Sequence, residues 1–369
     1  MSRPFRKVIY SDRLRKNYHI LKSLSPNSTS VPVVKADAYG HGLSETAKIL
    51  TEEGAERLGV AFADEALLLR KSGIRSSVLV MTVSEENYYE NLITENIEFS
   101  ISDISDLYAV SKTAVRIGKN ARVHIKTDTG MGRNGIRYDE CEAFSSACKN
   151  MRGIEFIGLM SHFACADEPS HPLNSLQIRR FQTAIEVMKQ QGIEFEYHHL
   201  CNSGGLINFP EAHYNMVRFG ISLYGYSPGN ATALPAGIRP VMEIHGQLSH
   251  VKRIRKGESI SYGASWIAQQ EGFLAIVPLG YGDGYPRQLS GSNCTVLVNG
   301  QHYRICGRIC MDQIMIFSPE QVLKKGDEVC IMGTQREQSI TAENLADGAG
   351  TISYDILTGF LPRLPGVYL

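Results

Sequence analysis

Between about residue 30 and residue 226 the chain alternates short apolar runs with longer amphipathic stretches. The apolar runs fall at 31–34, 58–61, 78–81, 98–101, 122–126, 157–161, 198–201 and 216–219. Each is short enough for a strand and rich in Val, Ile, Leu or Phe. The stretches between them, such as 43–53, 64–72 and 175–191, carry apolar residues at helical spacing. Eight strands separated by helices in roughly 200 residues predict an α/β fold of the (β/α)8 TIM-barrel type. A doubly wound open sheet is the competing layout.

The texture then changes. Residues 228–240 contain Pro228, Pro235 and Pro240 with Gly229 and Gly237, a composition that resists regular structure and reads as a linker. Beyond it the pattern is strand and turn: the run 295–298, the pair Asn299-Gly300 and the run 302–305 predict a hairpin closed by a type I′ turn. A short helix is expected near 342–346. The predicted organisation is an N-terminal strand (1–10) joining the second domain, a barrel (11–227), the linker (228–240) and a C-terminal mainly-β domain (241–369). A chain of 369 residues exceeds what one core usually holds, which agrees with two domains.

Hydrophobic residues make up 43% and charged residues 21% of the chain, a globular balance. Lys plus Arg and Asp plus Glu both total 38, so no overall field recruits nucleic acid or an anionic membrane. The expected partners are a small molecule and a second copy of the chain. Residues 1–24 lack the apolar core of a secretory signal, and nothing approaches the ~20 apolar residues of a membrane span, so a cytoplasmic location is expected. The eight cysteines are then expected as free thiols. His162 with Cys165, His198-His199 with Cys201, and Cys306 with Cys310 form no four-ligand set of the usual spacing, so no metal is expected. The glycines 130, 132 and 135 match a dinucleotide fingerprint, but the following strand ends in Ser161-His162 rather than an acid, and the segment reads as a loop.

In a barrel, functional groups project from the C-terminal ends of the strands. Here the first strand ends in Lys35, followed by Ala-Asp-Ala-Tyr39-Gly-His-Gly; the fifth in Lys126, followed by Asp128 and Arg133; the sixth in His162. The seventh runs into Asn202-Ser203, and Arg218 in the eighth precedes Gly220-Ile221. Polar groups thus collect at one end. A lysine at the mouth of an apolar strand is partly desolvated, which lowers its pKa and suits it to a Schiff base. From position alone a lysine paired with Asp37 fits equally well. Ser203-Gly204-Gly205 reads either as a phosphate-binding turn or as a turn and no more.

The segments VVKADAYGHG, VHIKTDTGMGRNG, SHFACAD, NSGG, VRFGISLYG, SYGASW, GYGDGY, CMDQ and TISYD, in this order from about Lys7 to the C-terminus, resemble the signature segments of bacterial alanine racemases. The resemblance implies an isomerase that interconverts L-alanine and D-alanine with pyridoxal 5'-phosphate, supplying D-alanine for peptidoglycan. It implies a Schiff base on Lys35, and a phosphate site made by Ser203, Gly220, Ile221, Tyr39 and Tyr354, with Asn202 and His162 in the cofactor-binding set. Arg218 is then expected against the pyridine nitrogen, keeping it unprotonated, and Arg133 against the phenolic oxygen and the substrate carboxylate. Inversion needs proton carriers on both faces, Lys35 on one and Tyr262 on the other, with His162, oriented through Arg218, helping Tyr262. Tyr262 is expected from the partner subunit of a homodimer, as are Met311, whose amide meets the substrate carboxylate, and Asp312. Tyr281 and Tyr354 are expected to narrow the entrance, and Lys126 to be carbamylated as an anionic support for Arg133; a lysine paired with Asp128 is the other reading of Lys126.

Three rivals differ in class or substrate. A serine or broad-specificity racemase of the same fold separates by substrate profile. The related barrel decarboxylases have no counterpart to the SYGASW and CMDQ segments. Single-barrel pyridoxal-phosphate binding proteins have no C-terminal β domain.

Overall fold

The computed structural model describes residues 4–149 and 151–369. The chain divides into two compact units: one comprises residues 13–38 and 42–239, the other the residues up to Asp12, residues 39–41 and those from Pro240 onward.

The first unit is the predicted barrel. Its parallel strands are β1 (Thr29–Pro32), β2 (Arg57–Val60), β3 (Ser77–Val83), β4 (Glu98–Ile101), β5 (Ala121–Asp128), β6 (Ile154–Met160), β7 (Tyr197–His199) and β8 (Met216–Phe219). β2 to β7 hydrogen-bond in sequence order. β8 pairs with β1 in register Met216 to Thr29, and a parallel bridge joins Val33, just beyond β1, to Gly59 of β2. The Arg218 amide donates to the Cys201 carbonyl at 3.2 Å, linking the β7 and β8 segments and completing the circuit. All four residues of β2, β4 and β8 are buried, as expected where helices cover the outside and side chains fill the inside.

The second unit is mainly β. A mixed sheet runs in the order Gln301–Arg304, Thr295–Val298, Glu328–Gln335, Met242–Gln247, Arg6–Ile9 and Gly366–Tyr368. Arg6–Ile9 pairs antiparallel with Met242–Gln247 and parallel with Gly366–Tyr368. A three-stranded sheet is formed by His250–Ile254, Gly272–Val277 and Ile314–Ser318. The Asn299-Gly300 turn has φ of 52° and 82°, the double positive φ that a type I′ hairpin requires. The predicted helix is found at Ala342–Ala349, capped by the Thr341 side chain. Residues 228–240 contain neither helix nor strand. No helix of the described residues is long and apolar enough to cross a membrane.

Candidate active site

The predicted site residues fall in two sets, one in each unit. Lys35, Lys126, Arg133, His162, Asn202, Ser203, Arg218, Gly220 and Ile221 lie in the barrel unit, at or just beyond the C-terminal ends of its strands. Tyr39, Tyr262, Tyr281, Met311 and Tyr354 lie in the β unit.

After Val34 the backbone does something the sequence did not announce. Ala36, Asp37, Ala38 and Tyr39 all have φ between 52° and 55°, a left-handed turn built without glycine. Such a turn costs L-residues roughly 1–2 kcal/mol each. Hydrogen bonds offset it: the Ala36 amide donates to Glu65 Oε1 at 2.6 Å, the Ala38 amide to the Val34 carbonyl at 2.9 Å, and the Leu43 amide to Asp37 Oδ1 at 2.7 Å. The second Glu65 oxygen accepts from the amides of Ala61 and Phe62, so one carboxylate ties the turn after β1 to the end of β2. Asp37 is thereby spent on the backbone. Among the described residues the Lys35 amine has no hydrogen-bond or ion-pair partner, which removes the paired-lysine reading. Burial, and then the Arg133 charge, lower the Lys35 pKa, with Glu65 opposing.

Lys126 is buried and donates to the Met81 carbonyl at 3.2 Å, with no ion pair to Asp128. Asp128 Oδ1 instead accepts from the Gly130 amide at 2.9 Å and, with Oδ2, from the Gly132 amide. Burial, followed by Arg133, Arg218 and Lys35, lowers Lys126 to about 8, against a smaller opposing pull from Asp128. Burial and the same cations hold His162 well below its usual value. The mouth therefore concentrates positive charge with little internal compensation, an environment that favours an anion.

Arg218 is buried beneath these groups. Its guanidinium donates to the carbonyls of Ser161 (2.8 Å) and Leu200 (3.2 Å), and to the Nδ1 atoms of His162 (3.3 Å) and His199. No carboxylate contacts it among the described residues. Burial lowers it to about 10, which leaves it cationic at neutral pH.

Ser203 and Gly220 meet where β7 and β8 end. Ser203 Oγ accepts from the Gly220 amide at 2.9 Å, and Asn202 Oδ1 caps the following helix by accepting from the Gly205 amide at 2.9 Å. Ser222 Oγ beside them is fully buried and has no hydrogen-bond partner, an orphan that an anionic oxygen would satisfy. Gly204 has a structural reason: a Cβ there would lie 2.9 Å from the Ala166 carbonyl, so the helix approaches the 163–167 loop only with glycine.

In the β unit, Tyr262 sits in a tight turn between Ser261 and Ala264, whose φ values are 68° and 45°. Ser261 Oγ anchors the turn on the Arg308 carbonyl at 2.6 Å. Tyr262 is 71% exposed and Met311 52%. The Met311 loop is fastened to the Tyr281 loop: the amides of Tyr281 and Gly282 donate to the carbonyls of Cys310 and Met311, at 3.1 and 2.8 Å. Arg363 bridges the two, pairing with Asp312 Oδ1 at 2.6 Å and donating to the Gly282 carbonyl at 3.1 Å. The rings of Tyr39 and Tyr354 are 6.1 Å apart. Sequence reasoning missed Arg363, the Glu65 tie, and a polar line of Glu98, His124 and His199 behind Arg218. The available signal was polar residues inside strands whose other positions are apolar.

Residues 9–228 match the family model of the alanine racemase N-terminal domain, and residues 241–368 that of the alanine racemase C-terminal domain. An alanine racemase of Carboxydothermus hydrogenoformans is 38% identical over 369 residues, covering 100% of both chains. The crystal structure of alanine racemase from Streptomyces lavendulae superposes with a TM-score of 0.94 at 37% identity, covering 100% of this chain and 98% of that one. A histidine racemase of Leuconostoc mesenteroides has a TM-score of 0.91 at 28% identity, covering 100% and 98%. With a barrel whose strand ends carry the expected cations, a second β unit, and both family models matched in order, the chain is a racemase, an isomerase enzyme, and belongs to the alanine racemase family.

Proposed function

We propose that the chain interconverts L-alanine and D-alanine using pyridoxal 5'-phosphate held at the barrel mouth, and that it works as a homodimer whose subunits share each site. The observation that carries the reading is the partnerless Lys35 amine, partly buried among Lys126, Arg133 and Arg218, above a cradle containing an orphaned serine hydroxyl. These residues fit a phosphorylated aldehyde. The cradle of Ser203, Gly220, Ile221 and Ser222 suits the phosphate, with Asn202 fixing its helix and the hydroxyls of Tyr39 and Tyr354 completing it. Arg133 suits the phenolic oxygen and the substrate carboxylate, because its planar fork pairs with oxygen anions.

When bound, the cofactor supplies an electron-withdrawing ring that makes the α-proton of an attached amino acid removable. Arg218 stays cationic and cannot accept a proton, so it would leave a pyridine nitrogen held against it unprotonated. That would weaken the electron sink and disfavour side reactions such as transamination. Lys35 would hold the cofactor's aldehyde, and its amine would carry a proton on one face of the substrate. Tyr262 of the partner subunit carries a proton on the other face, assisted by His162. The exposure of Tyr262 and Met311 supports the dimer, since an isologous interface would cover both. The Met311 amide, held out on the loop clamped by Asp312 and Arg363, meets the substrate carboxylate. Tyr281 and Tyr354 narrow the entrance to fit a methyl side chain. Lys126 is carbamylated: its lowered pKa supplies the neutral amine that reacts with carbon dioxide, and the product anion faces Arg133. The setting is cytoplasmic and the product D-alanine serves peptidoglycan.

The second reading is a racemase of serine or of a broad range of amino acids, favoured by the likeness to a histidine racemase. Circular dichroism with L-alanine, L-serine and L-histidine, each with added pyridoxal phosphate in heavy water, separates the two. The expected result is fastest loss of handedness for alanine, with solvent deuterium in both enantiomers; faster turnover of serine or histidine would overturn the alanine assignment.

A further inference from the structure

Behind Arg218 a line of buried polar side chains crosses the barrel interior. His199 Nε2 lies 2.8 Å from His124 Nδ1, and His124 Nε2 lies 3.2 Å from Glu98 Oε2. Glu98 is clamped in turn: Arg57 donates Nε to Oε2 and Nη2 to Oε1, both at 2.9 Å, and Arg122 Nη2 lies 2.9 Å from Oε1. Arg57 and Glu98 open β2 and β4, whereas Arg218 stands one residue from the end of β8. The line therefore runs from the barrel floor to its mouth. Glu98, His124 and His199 are all 0% exposed. Room for it is written into β6, where a Cβ on Gly158 would lie 2.2 Å from His124 Nδ1.

The hydrogen-bond directions are forced. Arginine has only donors, so His199 Nδ1 accepts from Arg218. Burial and the Arg218 charge keep His199 neutral, so its proton is on Nε2 and is donated to His124 Nδ1. The His124 proton is then on Nε2 and is donated to Glu98. The Arg218 donors at the mouth and the Glu98 carboxylate at the floor set the same orientation for the line from its two ends.

We propose that Glu98, acting through His124 and His199, is a positioning residue that presents a hydrogen-bond acceptor to Arg218 and so fixes the guanidinium at the barrel mouth. The consequence for catalysis rests on the reading of Arg218 as the partner of the cofactor ring; the tautomers do not. Glu98→Gln reverses the line. An amide nitrogen at the Oε1 position would face donors from both Arg57 and Arg122, whereas at the Oε2 position it opposes Arg57 Nε alone and can donate to His124 Nε2. His124 then carries its proton on Nδ1, His199 does the same, and an N–H is pointed at the N–H of Arg218.

The test is ¹⁵N NMR of ring-labelled histidine, on the protein with and without added pyridoxal phosphate, alongside alanine kinetics. His124 and His199 are expected as Nε2–H tautomers in the wild type and as Nδ1–H tautomers in Glu98→Gln. In kinetics Glu98→Gln is expected to lower kcat on the order of tenfold, a typical weight for an outer-shell partner, with little change in KM. Gly158→Ala, which displaces the His124 ring while leaving Glu98 charged, is expected to lower kcat similarly and serves if Glu98→Gln fails to fold. Wild-type Nδ1–H tautomers, or tautomers unmoved by Glu98→Gln, would overturn the relay. Reversed tautomers with unchanged kcat would overturn its role in positioning Arg218. If the barrel takes no cofactor, the tautomers still reverse, so failure of the functional reading is recognised separately.

Discussion

The barrel mouth and the Tyr262–Met311 loops of the β unit are built on opposite terms. At the mouth several polar groups are held from more than one side. Glu65 accepts three amides and Arg218 has four acceptors, while Asp128 is folded back on its own loop. Among the described residues, what remains unsatisfied there includes the Lys35 amine, the Ser222 hydroxyl and an excess of positive charge. The β-unit loops are braced on their backbone side, through Ser261, Arg363 and the paired carbonyls of Cys310 and Met311, but their side chains stand in solvent. On the proposed reading the barrel mouth lacks a small anion and the exposed loops lack a partner subunit. Preorganisation in the first region and exposure in the second are what the proposed reaction, divided between subunits, would require.

The comparison is broken most severely by Lys35→Ala, expected to lower racemisation by ~10⁴-fold or more and to abolish the absorbance of lysine-bound cofactor, while the fold persists in far-ultraviolet circular dichroism. Tyr262→Phe comes next. It removes the proposed proton carrier from an exposed turn without disturbing the barrel, and about 10³-fold loss is expected with unchanged melting temperature. Deuterium exchange on one face of the substrate should survive it.

A third prediction concerns the barrel interior alone. Burial pushes the Glu98 carboxyl up, but hydrogen bonds from His124 and Arg57 outweigh it and hold the group at about 2. A carboxyl lowered on folding stabilises above its unfolded pKa and loses that contribution as pH falls through the folded value. In urea melts the wild type should therefore exceed Glu98→Gln by about 3 kcal/mol above pH ~4.3, with the gap closing toward pH ~2. Equal pH dependence would contradict the clamp. The smallest effect is expected from Lys126→Met, which removes the proposed carbamylated support of Arg133 and should raise the KM for alanine roughly tenfold, the worth of about 1.4 kcal/mol. Intact-mass analysis of the gently handled wild type should show the added carbon dioxide, absent from the variant.

Much of the barrel was legible because strand burial on both faces leaves continuous apolar runs, and because Lys35, Lys126, His162, Ser203 and Arg218 break those runs at their C-terminal ends. The Asn299-Gly300 hairpin was legible because few dipeptides accept two positive φ values in succession. The turn at 36–39 was not, since its left-handed backbone is imposed by Glu65, a residue some 30 positions away, against the local preference of alanine. Nor was the line from Glu98 to Arg218. Its members sit on four different strands, His199 read only as part of a poor metal set, and Gly158 carried no message until the His124 ring lay across it. Tertiary contacts of that kind have no period and no spacing to detect.

If Lys35 and Tyr262 act together from two subunits, mixing of subunits restores activity that neither variant has alone. Lys35→Ala and Tyr262→Phe proteins, each nearly inactive alone, are mixed in equal amounts, dissociated and allowed to reassociate. Random pairing makes half the dimers hybrids, each with one site free of both substitutions, so about a quarter of wild-type racemisation should return. A mixture no more active than its parents would mean that the two residues do not share a site across subunits.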